Sequence, residues 1–159
     1  MEIEFDVKIN ANVLYDYMLH HTYTSASGLL GTGVGALMIV AFSMQHAVIF
    51  LIAGIVILAY LPCTLFLRSR QQMLANPAFK EPLHYRLDEE GILVSQNGAE
   101  EKQAWDQMYK AISTGRSIIV YTSRVNASIF PKKDLGEHKA KVIEIISTHM
   151  PPSKVKIRG

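Results

Sequence analysis

The stretch Ser25–Leu67, SASGLLGTGVGALMIVAFSMQHAVIFLIAGIVILAYLPCTLFL, decides how the rest of the chain is read. No Asp, Glu, Lys or Arg occurs between Asp16 and Arg68. A hydrocarbon core about 30 Å thick takes about 20 apolar residues in a helix. The stretch holds 43 residues, about twice that length, so it predicts two spans joined by a tight turn near Ser43-Met44-Gln45-His46. The spans form a membrane-embedded helical hairpin.

Working outward, Arg68, Arg70 and Lys80 follow the second span, whereas the turn between the spans carries no Lys or Arg. The positive-inside bias then places both termini in the cytoplasm. Glu2, Glu4 and Asp6 lead the chain, unlike the basic start of a secretory signal, so the hairpin is expected to remain in the mature protein. The lone cysteine, Cys63, has no partner for an internal disulfide and reads as a buried apolar filler. Pro62 is placed to kink or end the second span.

Gly31 and Gly35 in the first span have G-x-x-x-G spacing, with Ser27 four residues earlier. Small residues on one face let helix backbones approach closely in lipid. The simplest partner is the second span at Ala53 and Gly54, and a second copy of the chain is the alternative. The string Gly31-Thr32-Gly33-Val34-Gly35-Ala36 also fits a loose dinucleotide pattern, but no strand precedes it and no acidic residue follows about 20 positions on. Apart from His46 the spans carry no Asp, Glu, Lys, Arg or His, which argues against a carrier or pump.

Before the hairpin, Ile3, Phe5, Val7 and Ile9 alternate with Glu2, Glu4, Asp6 and Lys8. Period two predicts a half-buried strand. A lone strand is unstable, so this one must join a sheet formed after the hairpin. Asn10 or Asn12 caps a helix beginning near Val13, with Leu14, Tyr17, Met18 and His21 at helical spacing and Tyr15, Tyr17 and Tyr23 suited to the membrane surface. Adjacent His20 and His21 point about 100° apart on a helix and read as a polar edge rather than a metal pair.

After the hairpin, helix is expected to about Leu74, breaking before Pro77. Strands follow at 83–87, 92–96, 100–105, 107–112, 117–122 and 127–130, with turns at Asp88–Gly91, Asn97-Gly98 and Thr114–Arg116. Asp134 and Glu137 have capping-box-like spacing, opening a helix whose Leu135, His138, Val142, Ile145, Ile146 and His149 share one face and which Pro151-Pro152 stops. Several antiparallel strands and then one amphipathic helix predict an α+β domain: a bent sheet or partial barrel capped by the C-terminal helix.

These pieces, in this order, resemble the YcxB-like family of small bacterial membrane proteins. The resemblance rests on the acidic first strand, His20-His21 before a two-span hairpin, and Tyr85-x-Leu87-x-x-x-Gly91-Ile92. It continues through Trp105-x-x-x-Tyr109-Lys110, a strand ending at Tyr121, and Ile129-Phe130-Pro131-Lys132-Lys133. It implies a multi-pass protein of the bacterial cytoplasmic membrane with a pleckstrin-homology-like (PH-like) cytoplasmic domain, and it carries no activity. The expected organisation is an N-terminal strand and interfacial helix (1–24), the hairpin (25–67), a linker (68–82), the PH-like domain (83–150) and a basic tail (151–159).

Candidate functional residues are few. Trp105 and Phe130 are candidates for a binding surface, set against simple packing of a large ring on the sheet. The usual phosphoinositide position of a PH-like fold is the first hairpin turn, here Asp88-Glu89-Glu90, which repels phosphate. From Lys132 to Gly159, seven Lys or Arg outnumber three Asp or Glu. Lys132, Lys133, Lys154, Lys156 and Arg158 are therefore candidate lipid or phosphate contacts near an anionic leaflet. The excess is small and no nucleic-acid-binding motif accompanies it. No nucleophile, base and orienting group stand together, and no metal-ligand spacing or phosphate loop occurs. The sequence thus predicts a non-enzymatic membrane-anchored interaction or scaffolding protein without cofactor or metal. It would bind the bilayer surface or a protein partner, with homo-oligomerisation through the first span as the alternative.

Overall fold

The computed structural model describes residues 2–157. The alternating N-terminal segment forms β1 (Ile3–Val7), buried at every second residue. Asn10 caps α1 (Ala11–Tyr23), its side-chain oxygen accepting from the N–H groups of Asn12 and Val13 at 3.0 Å each. A turn at Thr24-Ser25 leads into α2 (Ala26–Gln45), whose first turn is capped by Ser25 Oγ accepting from Gly28 N–H at 3.2 Å. His46, in the left-handed region at φ 51°, ends α2, as a helix C-terminus commonly requires. The chain then returns as α3 (Val48–Ala75). The helix runs on through Pro62, so the proline does not end it. Cys63 lies exposed on its outer side, not buried as filler.

Both long helices are long and apolar enough to cross a membrane, and only 11% of the most apolar window of each is buried. Leu30, Leu37, Met44, Ile49 and Val56 are among the large apolar side chains left exposed. The seam between the helices is built on missing side chains. A Cβ on Gly54 would meet the Gly35 carbonyl oxygen at 2.9 Å and Ile39 Cγ1 at 2.8 Å, and one on Gly35 would meet Leu58 at 2.8 Å.

The remainder is strand-rich: β2 (Leu83–Leu87), β3 (Gly91–Gln96), β4 (Ala99–Ala104), β5 (Lys110–Ser113), β6 (Ser117–Tyr121), β7 (Ala127–Pro131), α4 (Lys132–Leu135), α5 (Lys139–His149) and β8 (Val155–Lys156). One antiparallel sheet has the order β1-β2-β3-β4, the other β7-β6-β5-β8. In the second, β8 runs parallel to β5 and the remaining pairs are antiparallel. Asn97 and Gly98 both have positive φ, closing the β3–β4 hairpin with Gln96 opposite Ala99, the two-residue turn that an Asn-Gly pair favours.

β1 pairs antiparallel with β2, placing Ile3 opposite Leu87, Phe5 opposite Tyr85 and Val7 opposite Leu83. Residues separated by the whole hairpin thus share one sheet, as the isolated-strand argument required. The two sheets meet through three rings. Phe130 of β7 stands edge-on to Phe5 at 5.3 Å and to Tyr85 at 4.9 Å between centroids, and Phe5 and Tyr85 lie 6.0 Å apart. Leu87, Ile92, Ile118, Ile119, Val142, Ile145 and Ile146 complete this core.

Three local expectations are corrected. The C-terminal helix is broken: Gly136 at φ 50° separates α4 from a short 3₁₀ turn, and α5 begins without a side-chain cap. Instead of closing a capping box, the Asp134 carboxylate accepts from Lys8 N–H at 3.0 Å, tying the end of β1 to α4, and His138 is exposed. The third strand stops at Ala104, because Trp105 opens a 3₁₀ turn. The tail is not a free basic extension, since Val155 and Lys156 add an edge strand opposite Ala111 and Ile112.

Candidate functional site

α1 couples the β-domain to the long helices. Tyr15 lies edge-on to Phe66 of α3 at 5.6 Å. On the domain side Tyr17 and His21 lie 6.1 and 6.2 Å from the Tyr121 ring, and the Tyr17 hydroxyl donates to the Val125 carbonyl at 3.3 Å. Tyr17 is therefore used to dock the domain rather than to face lipid. Thr114 Oγ1 donates to the Asp16 carboxylate, holding the β5–β6 turn against the same helix.

This docking closes a cleft of about 730 Å³ between the end of α1, β5 and the C-terminal tail. His20 and Thr24 come from α1 and the turn after it, Lys110 and Ser113 from β5, and Ser153, Lys154 and Lys156 from the tail. Each position follows from local structure. Pro151 and Pro152 stop α5, and a turn with Lys154 N–H donating to Pro151 O at 2.8 Å swings the tail round. The parallel β5–β8 ladder then fixes Lys156 opposite Ile112. Lys154 Nζ donates to the Met108 carbonyl at 2.9 Å, leaving further N–H donors on the ammonium. Lys110 Nζ sits 4.6 Å above the Tyr121 ring, a cation–π contact.

Three lysines thus line one cleft, and no acidic residue lies among its described lining residues. Among the described residues Lys110 and Lys156 form no ion pair. Burial holds His20 below the ordinary histidine range, Lys110 adding to this by charge repulsion while Asp16 opposes it. A neutral imidazole offers one donor and one acceptor. With the hydroxyls of Thr24 and Ser153 beside it, the cleft is equipped to bind an anion with several oxygen acceptors.

Of the residues picked out in the sequence, Lys154 and Lys156 come together here. Lys132 does not: its amine donates to the Thr114 carbonyl at 2.7 Å. Lys133 is exposed on α4, away from the cleft lining. Arg158 lies outside the described residues. Lys110 and His20 were missed as members of this set, because residues 20, 110 and 154–156 are joined only by the fold. Phe130 is fully buried in the core and presents no surface. Trp105 is 6% exposed; its indole N–H donates to Asp88 O at 2.8 Å and its ring stacks on His149 at 5.6 Å. It borders a second cleft, where Glu89, Glu90 and Asp106 outnumber Lys154, a residue that lines both clefts.

Of the helix-packing candidates, Gly35 and Gly54 form the close contact. A Cβ on Gly31 would meet only Leu61 Cδ1, at 3.9 Å. Ala53 is half-buried, and Ser27 is exposed with its hydroxyl 3.1 Å from Ser25 Oγ. The Asp88-Glu89-Glu90 turn is held by Asp88, whose carboxylate accepts from the N–H groups of Glu90 and Gly91 at 2.8 and 3.0 Å. Burial pushes this carboxyl up, but those bonds and Arg86 hold it below its usual range. Asp88 is therefore held ionised in the turn. Among the described residues no three His, Cys, Asp or Glu side chains gather to hold a metal ion.

No curated protein and no solved structure matches the chain. Residues 87–146, which run from the end of β2 through Trp105 and the buried β6 and β7 to the apolar face of α5, match the family described as YcxB-like protein.

Proposed function

We propose that the chain is a non-enzymatic, membrane-anchored interaction protein of the bacterial cytoplasmic membrane. In this reading α2 and α3 cross the bilayer as a hairpin, both termini are cytoplasmic, and a PH-like β-domain is held against the inner surface to bind that surface or a protein docked on it. The observation that carries the proposal is the β1–β2 pairing. A strand before the hairpin can join a strand after it only if both ends of the hairpin emerge on one side. Arg68 and Arg70 beside that exit agree with a cytoplasmic face.

The two four-stranded sheets with a helix packed at the C-terminus support the PH-like assignment. The non-enzymatic reading is supported by the dispersal of the histidines: His84 bonds Asp6 at 2.8 Å, His149 stacks on Trp105 and His21 on Tyr121. Oligomerisation through the first span is less well supported, because Gly35 faces Leu58 and Ile57 of the same chain. The test is extraction. The full chain should stay in the membrane fraction through a high-salt and alkaline carbonate wash and enter solution only with detergent. Release without detergent would overturn the proposal.

A further inference from the structure

We propose that the cleft between α1, β5 and β8 binds the phosphate headgroup of an anionic glycerophospholipid. The inference rests on the membrane anchorage proposed above and adds a ligand to it. The charge selects an anion: Lys110, Lys154 and Lys156 line the cleft with no acidic residue among the described lining. The size suits a headgroup, since about 730 Å³ falls within the range of about 300–1,000 Å³ usual for small-ligand sites. The same lysines disfavour a zwitterionic lipid, whose ammonium would enter a cleft already positive.

Position selects a lipid over a soluble phosphate. Thr24, in the cleft wall, lies two residues before the start of the apolar helix α2 at Ala26. Leu29 and Leu30, one turn on, are 61% and 71% exposed. A headgroup held by the lysines leaves its acyl chains beside this apolar surface. Tyr109, also lining the cleft and half-exposed, supplies an aromatic ring of the kind that sits at headgroup level.

The test uses the full chain purified in a neutral maltoside detergent and titrated with dioctanoyl phosphatidylglycerol, with lipid-bound protein counted by native mass spectrometry. Saturable binding of one lipid per chain is expected, with dioctanoyl phosphatidylcholine at least ten-fold weaker and glycerol phosphate not retained. K110Q/K156Q should weaken phosphatidylglycerol about thirty-fold, as two lysines near an anionic surface would. K139Q/K141Q, the same charge change on α5, should leave binding unchanged. Because Lys110 also rests on Tyr121, K156E on the exposed edge strand provides a second variant, expected to lose at least ten-fold. Wild-type affinity in K156E, equal loss in K139Q/K141Q, equal binding of phosphatidylcholine, or retention of glycerol phosphate would each overturn the proposal. Carbonate extraction of the same variants reads the anchorage separately, so a chain that stays in the membrane but does not discriminate between headgroups refutes only the ligand.

Discussion

Replacing Phe5 with Ala should cost the β-domain a large part of its stability, although Phe5 precedes the long helices and the rest of the domain follows them. Its ring is 7% exposed and lies against Tyr85 and Phe130, centroids 6.0 and 5.3 Å away. Truncating a buried Phe costs about 3–5 kcal/mol, and a small domain is stable by only about 5–15 kcal/mol. The protein carries its own reporter, because Trp105 is its single tryptophan and sits in the β-domain. Urea denaturation of the full chain in mild detergent, followed by Trp105 fluorescence, reads this domain without the long helices. With a slope of about 2 kcal/mol per molar urea, a loss of about 4 kcal/mol moves the midpoint down by about 2 M. Phe5→Leu, which keeps most of the apolar volume, should move it much less. An unchanged midpoint in Phe5→Ala would show that β1 is not part of the domain core, and the argument for a one-sided hairpin would go with it.

Two further outcomes follow from named contacts. Gly54→Ala should loosen the α2–α3 seam by about 1–3 kcal/mol, because its methyl would meet the Gly35 carbonyl oxygen at 2.9 Å, whereas Gly33→Ala, with nothing within 4 Å, should be neutral or slightly stabilising. Thermal unfolding of the helices in detergent distinguishes the pair. At alkaline pH the domain should weaken: burial raises Tyr85 to about 12, against its bond with Ser128, and burial followed by Tyr17 raises Tyr121 to about 12. The folded state therefore holds protons that the unfolded chain releases from about pH 10, and the stability is intact below that pH and is lost as pH rises toward 12. Urea midpoints between pH 9 and 12 should fall less in Tyr85→Phe than in the wild type.

Most elements were legible because their signals are local. The period-two burial of Ile3, Phe5 and Val7, the Asn10 cap, the Asn97-Gly98 turn and the charge-free run each depend on neighbours in sequence. What failed depended on distance or conformation. Asp134 looked like a helix cap, yet its carboxylate is used by Lys8, 126 residues away. Gly136 breaks the helix by adopting a positive φ, an option its presence permits but does not announce. Two residues, Val155 and Lys156, are too few to read as a strand until β5 lies beside them. The basic cleft was half visible, as an excess of lysine near the C-terminus. Lys110 and His20 join it only once α1 has docked on Tyr121 and β8 has paired with β5.

The one-sided hairpin is tested most directly by which residues a membrane-impermeant maleimide reaches in intact cells, with Cys63 replaced by Ser and single cysteines placed at His46, Asp6 and Lys80. His46→Cys, in the turn between α2 and α3, should label from outside, and Asp6→Cys and Lys80→Cys only after permeabilisation. Labelling of Lys80→Cys from the same side as His46→Cys, or of Asp6→Cys and Lys80→Cys from opposite sides, would contradict the account.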